Sequence, residues 1–290
     1  MLDQYDFNET LARLDDIHQW LKSLGFTSLD RVRVYRDSIR RMLEFDANGG
    51  VEALQESIPL ARAREIYWSY IDSDEFVRAV DSLRESCGDS IAAGLIDLIE
   101  KVLRGPADLL LETTNNSGGR NFMFELIMAG RLASAGLHPS FDKGADVHAE
   151  FGGCQLAVQC KRPFSEKGLE KNIGKAIHQL KQTNAELKLI AVSVSRLLNT
   201  GDPNDMAEVP DRSLGHTYLQ ARVERIAEKS KRFWHGKMDN AGILFYAFAS
   251  VRCADKPSFF FDRCENMYPL RPGEEPASTL LTCLAQILGT

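Results

Sequence analysis

The segment ADVHAEFGGCQLAVQCKRP, residues 145–163, constrains the folding of this chain more than any other stretch. Two runs with apolar residues at every second position flank Gly152–Gly153, the pattern of a β-hairpin closed by a two-residue turn. Side chains alternate faces along a strand, so Leu156, Val158 and Cys160 share one side while Gln159 and Lys161 share the other. In the first run Asp146, His148 and Glu150 have one parity and Val147, Ala149 and Phe151 the other. Asp146 lies six residues before Gly152 and Gln159 six after Gly153. Pairing through the turn therefore brings Asp146 close to Gln159 and Lys161.

A carboxylate, an amide oxygen and an ammonium at one sheet mouth form a chemically suggestive set. Hard cations such as Mg2+ take oxygen ligands from carboxylates, carbonyls and water. Asp146, the Gln159 side chain and the Cys160 backbone carbonyl supply such oxygens. Lys161 can orient an attacking water or neutralise charge developing on a phosphate. Alternating polar residues also mark an ordinary half-exposed antiparallel strand, so the pattern alone leaves a solvated face open.

Around the hairpin the texture of the chain changes at ETTNNSGGR, residues 112–120, the best candidate boundary. Residues 1–115 read as helical. NETLARLDDIHQWLKSLG and SLDRVRVYRDSIRRMLEFDANGG carry apolar residues at helical spacing, and ARAREIYWSYI, DEFVRAVDSLRES and SIAAGLIDLIEKVLRG add further helices. Residues 116–290 alternate: a helix over NFMFELIMAGRLASAGL, the hairpin, a helix over LEKNIGKAIHQLKQTNAEL, a strand at KLIAVSVS, a helix over HTYLQARVERIAEKSKRF and a strand at AGILFYAFAS. This order predicts an α/β domain with a mixed sheet behind an all-helical N-terminal region. From 254 onward an irregular tail ends in a short helix, ASTLLTCLAQIL.

The net charge of −6 hides an asymmetry: 13 Lys and Arg face 22 Asp and Glu up to residue 115, against 22 and 19 beyond it. A polyanion would meet the second part. Six scattered cysteines show no metal spacing and read as reduced, mostly core thiols. With 44% hydrophobic and 26% charged residues, no long apolar run and no signal-like start, the expectation is a cytoplasmic protein with no membrane contact.

The hairpin with its flanking helices resembles the PD-(D/E)XK nuclease superfamily, and VQCKRP is most similar to the Mrr-type restriction endonucleases, which often carry Gln in place of the second acid. The resemblance covers roughly residues 120–195, a helix–strand–strand–strand–helix–strand core, with GAD standing where proline-aspartate is usual. It implies a restriction-endonuclease-like fold and a metal-dependent DNA endonuclease of restriction or phage defence. Asp146 would be the motif aspartate, Gln159 the variant second ligand and Lys161 the catalytic lysine. Glu125, on the first core helix, would support Mg2+, for which Mn2+ can substitute. Cleaving both strands implies a dimer or larger homo-oligomer. Loss of one metal-site charge at Gln159 is equally expected in a weakened nuclease fold that binds nucleic acid or scaffolds a complex, and an RNA-directed nuclease is a third possibility.

Further candidates lie nearby. Lys143 and Arg162 flank the hairpin, and Lys167, Lys171 and Lys175 form one face of the next helix, where nucleic acid could bind. EKSKRFWHGK, residues 228–237, mixes Lys231 and Arg232 with Phe233 and Trp234, a combination that can track phosphates and stack on bases, or simply end a solvated helix. His148 could touch a phosphate or stand by, Gln179 reads as a surface glutamine, and the arginines of DRVRVYRDSIRR suit a structural or protein-binding role.

Overall fold

The structure is a computed structural model that describes residues 6–47, 58–87, 93–105, 118–141, 144–199, 207–254, 259–270, 282 and 284–285. Lys143 and most of the polar break at 112–120 lie outside the described residues. So does most of the short C-terminal helix, although Thr282, Leu284 and Ala285 have helical backbone.

The N-terminal region is helical as expected: α1 (Phe7–Ser23), α2 (Asp30–Ala47), α3 (Leu60–Cys87) and α4 (Ala93–Leu103). Asp6 caps α1 by accepting from the Glu9 N–H at 2.9 Å. ARAREIYWSYI and DEFVRAVDSLRES, read as separate helices, are the single helix α3. Its polar middle survives burial because Asp72, Ser73 and Glu75 are each hydrogen-bonded. Ser73 Oγ donates to the Tyr70 carbonyl at 2.6 Å, and Asp72 receives the Arg120 guanidinium, Nη2 to Oδ1 at 2.8 Å.

After α5 (Gly118–Ser134) the sheet begins: β1 (Val147–Phe151), β2 (Cys154–Lys161), α6 (Glu166–Lys181), β3 (Leu187–Ser193), α7 (Ser195–Leu198), β4 (Ala207–Val209), α8 (Gly215–Trp234), β5 (Ala241–Cys253) and β6 (Phe259–Pro269). β1 and β2 are antiparallel; β2, β3 and β5 run parallel; β4 pairs with the far end of β5, parallel to it; and β6 runs antiparallel along the other side of β5. Ser140 makes an isolated antiparallel bridge to His148 outside β1.

The hairpin register is the one that the sequence dictates. Val147 faces Val158 and Phe151 faces Cys154. Gly152 and Gly153 have φ of 59° and 78°, so both central turn residues occupy the left-handed region that a twisted two-residue hairpin turn requires.

Parallel strands are buried on both faces. Leu156, Val158, Leu189, Ala191, Leu244 and Phe248 join a core with α5 and the N-terminal helices, while Ala157, Ile190, Val192, Ile243 and Phe245 join a second core with α6 and α8. The first of these cores runs across the expected 115/116 boundary. Gly130 of α5 approaches α3 so closely that a Cβ there would stand 2.4 Å from the Ala79 Cα. Trp68 of α3 packs on Phe248 of β5, ring centroids 6.0 Å apart. Tyr246 donates its hydroxyl to Glu75 at 2.7 Å.

The described part of the tail is not irregular. Residues 259–269 form β6, whose register with β5 runs from Arg252↔Phe259 to Gly242↔Pro269. Its charged residues conceal a strand because they find partners far away in sequence. Glu265 pairs with Arg131 of α5, and Arg263 reaches Glu75 of α3 at 3.4 Å. The cysteines read as thiols keep that form where described: Cys160, Cys253 and Cys264 buried, Cys154 partly so. No helix among the described residues is long and apolar enough to cross a membrane.

Candidate active site

The hairpin delivers Asp146, Gln159 and Lys161 to one point. Asp146 sits just before β1, its N–H donating to the Val158 carbonyl at 3.1 Å. Its Oδ2 accepts from the Cys160 N–H at 2.7 Å, which holds the carboxylate against the end of β2. Lys161 Nζ stands 3.3 Å from Asp146 Oδ2 and 2.6 Å from Gln159 Oε1. The Gln159 amide nitrogen reaches the Gly144 carbonyl at 3.5 Å, at the limit of a hydrogen bond.

This polar face is not an ordinary solvated strand face. Gln159 is only 1% exposed, and the Lys161 side chain only 11%. α6 covers the face, packing Leu169, Ile173 and Ile177 into the core that contains Ala157. Burying an amide and an ammonium is costly unless they are paired, and here they pair with each other and with Asp146.

Glu125 approaches from α5 and is half-buried. It lies in the interior of the helix, so the capping role of a first-turn acid does not apply. Burial first, then the neighbouring Asp146 carboxylate, pushes its carboxyl up to about 8, against opposing pulls from Lys161 and Lys101. The Cys160 thiol, buried and facing the Asp146 and Glu125 charges, is likewise pushed well up and is inert as a nucleophile.

Three polar atoms that are buried without a hydrogen-bond partner belong to residues on the elements that frame this site: Asn121 Oδ1 on α5, His148 Nε2 on β1 and Gln179 Oε1 on α6. Asn121 precedes Glu125 by four residues, one helical turn, so the two share a face of α5, and that spacing was the signal available in the sequence. Gln179 is half-buried rather than a surface glutamine. His148 is tied through its backbone to Ser140, 2.8 Å in both directions, so its position is set by the strand.

The donor set fits a hard cation in kind: two carboxyls, an amide oxygen and a backbone carbonyl. In extended backbone the N–H and C=O of one residue project to the same side, so the Cys160 carbonyl points to the edge where its N–H meets Asp146. Among the described residues, no three His, Cys, Asp or Glu side chains gather as a metal cluster. Any cation here would rely on neutral oxygens and water for the rest of its shell.

The basic residues expected to contact nucleic acid are dispersed. Lys167, Lys171 and Lys175 are exposed along α6. Lys231 is paired with Glu228 at 3.1 Å and Arg232 with Glu170 of α6 at 3.5 Å, so that end of α8 carries little free charge. Trp234 is 3% exposed and donates its indole N–H to Ser230 Oγ at 3.2 Å, which removes it as a base-stacking platform. Arg162 follows Lys161, is half-buried and lines a small cavity with Asp72, Glu75, Arg120 and Tyr246. In the N-terminal region, buried Arg31 donates to the Val102 carbonyl at 2.6 Å and to Tyr35, a structural role. Compared with known proteins, the chain matches no family model, no curated protein and no solved structure.

Proposed function

We propose that this protein is a metal-dependent nuclease that hydrolyses phosphodiester bonds in DNA. The observation that carries the reading is the convergence of Asp146, Gln159 and Lys161, with Nζ 2.6 Å from the Gln159 oxygen and 3.3 Å from the carboxylate, beside a Glu125 carboxyl whose pKa is raised to about 8. The order of elements supports it: helix α5, the Ser140 bridge, β1, β2, helix α6 and β3 follow the helix–strand–strand–strand–helix–strand sequence of the PD-(D/E)XK core that the motif resembles.

In this reading Asp146, the Gln159 oxygen and the Cys160 carbonyl hold Mg2+, with Glu125 in support. The bound ion would polarise the phosphate and lower the pKa of a coordinated water. Asp146 is held in place by the Cys160 N–H, and Gln159 is held by burial. Lys161, anchored between them, places a positive charge where negative charge builds on the phosphate oxygens as water attacks. A role in restriction or phage defence and a dimeric assembly follow from the same resemblance.

A second reading, a nuclease fold that binds nucleic acid without cutting it, draws on one feature: Lys161 already occupies the Gln159 oxygen that a metal would need. Plasmid degradation with Mg2+ or Mn2+ by the wild type, Asp146→Ala and Lys161→Ala separates the two. Cleavage by the wild type that both substitutions abolish is the expected result. Equal residual activity in all three proteins would mark contamination and overturn the enzyme. An RNA substrate in the same assay tests the RNA-directed alternative.

A further inference from the structure

Apart from the metal-site residues, a groove of about 690 Å3 opens where β2 leaves the sheet. Its walls include Phe164, Ser165 and Glu166 at the start of α6, Arg196 on α7 with Asn199 just after it, and Tyr218, Arg222, Arg225 and Lys229 along α8. Phe164 follows Lys161 by three residues, and Arg196 follows the end of β3. The groove therefore lies at the carboxyl ends of two parallel strands, where α/β sheets characteristically place ligands.

Three arginines in this groove, Arg196, Arg222 and Arg225, meet no carboxylate among the described residues. Arg13, Arg36, Arg78, Arg84, Arg120 and Arg131 each meet a carboxylate. In the groove, Arg196 donates only to the Asn199 backbone carbonyl, at 3.4 Å, and lies over the Phe164 ring. Arg222 donates to the Tyr218 hydroxyl at 2.8 Å and lies over that ring. Arg225 is exposed and makes no ion pair among the described residues. Lys229 alone has an acid partner, Glu166 at 3.3 Å. The N-terminus of the 16-residue helix α6, capped by Ser165, adds its positive dipole end to the same wall.

Guanidinium groups held by neutral acceptors, interleaved with two aromatic faces, make the combination that grips a phosphate backbone and stacks bases regardless of sequence. We propose that this groove binds single-stranded nucleic acid leading to or from the active site, so that the substrate carries an unpaired segment beside the scissile phosphate. The inference rests on the nuclease reading for its placement in the reaction, but the binding itself is independent of cleavage. Duplex DNA is the rival ligand. It presents its base faces already stacked and would leave Phe164 and Tyr218 without a role.

The test is fluorescence-anisotropy titration of the full-length Asp146→Ala protein, which cannot cut under the nuclease reading, with a labelled mixed-sequence single-stranded DNA oligonucleotide and with its duplex. Arg225→Glu, an exposed position, and Arg222→Gln with Arg225→Glu are compared in the same background, and circular dichroism checks that each is folded. Tighter binding of the single strand is expected. Both variants should weaken it roughly tenfold or more, and the double variant should flatten the slope of log K against log salt by about 1.4, two phosphate contacts at about 0.7 each. Equal or tighter duplex binding, or unchanged single-strand affinity in folded variants, overturns the inference. Wild-type cleavage with unchanged binding in the variants would sink the groove and spare the nuclease; groove-dependent binding without cleavage would do the reverse.

Discussion

Glu125→Gln replaces a carboxyl held near neutrality with a neutral side chain of the same shape, and so isolates the electrostatics of the site. The carboxyl is raised from 4.5 to about 8, chiefly by burial and next by Asp146. For a raised acid the folded protein keeps a proton that the unfolded chain has already released. Its contribution to stability is therefore full below about pH 4.5 and is lost as pH rises through 8. Within that window the loss is about 1.4 kcal/mol per pH unit, on the order of 5 kcal/mol across the whole shift. The glutamine variant has no such titration. Urea denaturation of both proteins from pH 5 to pH 8.5 should show wild-type stability falling relative to Glu125→Gln with that slope. Because Glu125 and Asp146 interact, the slope belongs to the pair, and Asp146→Asn should move it to lower pH. A stability difference between wild type and Glu125→Gln that stays flat from pH 5 to pH 8 would refute the burial of Glu125, and a slope that Asp146→Asn leaves in place would refute the proximity of the two carboxyls, and with it the geometry of the proposed site.

Two further outcomes probe how the helical region is joined to the sheet. Gly130→Ala should destabilise by about 1–3 kcal/mol in urea titration, because its Cβ would meet the Ala79 Cα at 2.4 Å where α3 and α5 cross; a loss within error would mean that the crossing can open freely. Asp72→Ala removes the carboxylate that both Nη atoms of the buried Arg120 guanidinium meet and should cost about 3–5 kcal/mol by the same measurement, whereas an unchanged urea midpoint would show that the pair is not buried in solution.

How much of this protein its sequence determines by itself depends on the range of the interactions involved. The hairpin was fully legible, because a two-residue glycine turn and period-two alternation are local and together leave one register, Val147 against Val158. Asp146, Gln159 and Lys161 inherit their meeting from that register alone. The parity of β2 could not say that its polar face is buried, since only the packing of α6 places Gln159 out of water. Helix α3 and strand β6 were obscured for one reason: Asp72, Glu75, Arg263 and Glu265 look like loop or surface residues until Arg120, Tyr246 and Arg131 arrive from distant segments to pair with them. Glu125 acquires its raised pKa, and the arginine groove its uncompensated charge, only when separate elements pack together. Burial and Coulomb interactions depend on distances through space, and those distances are set by the tertiary structure.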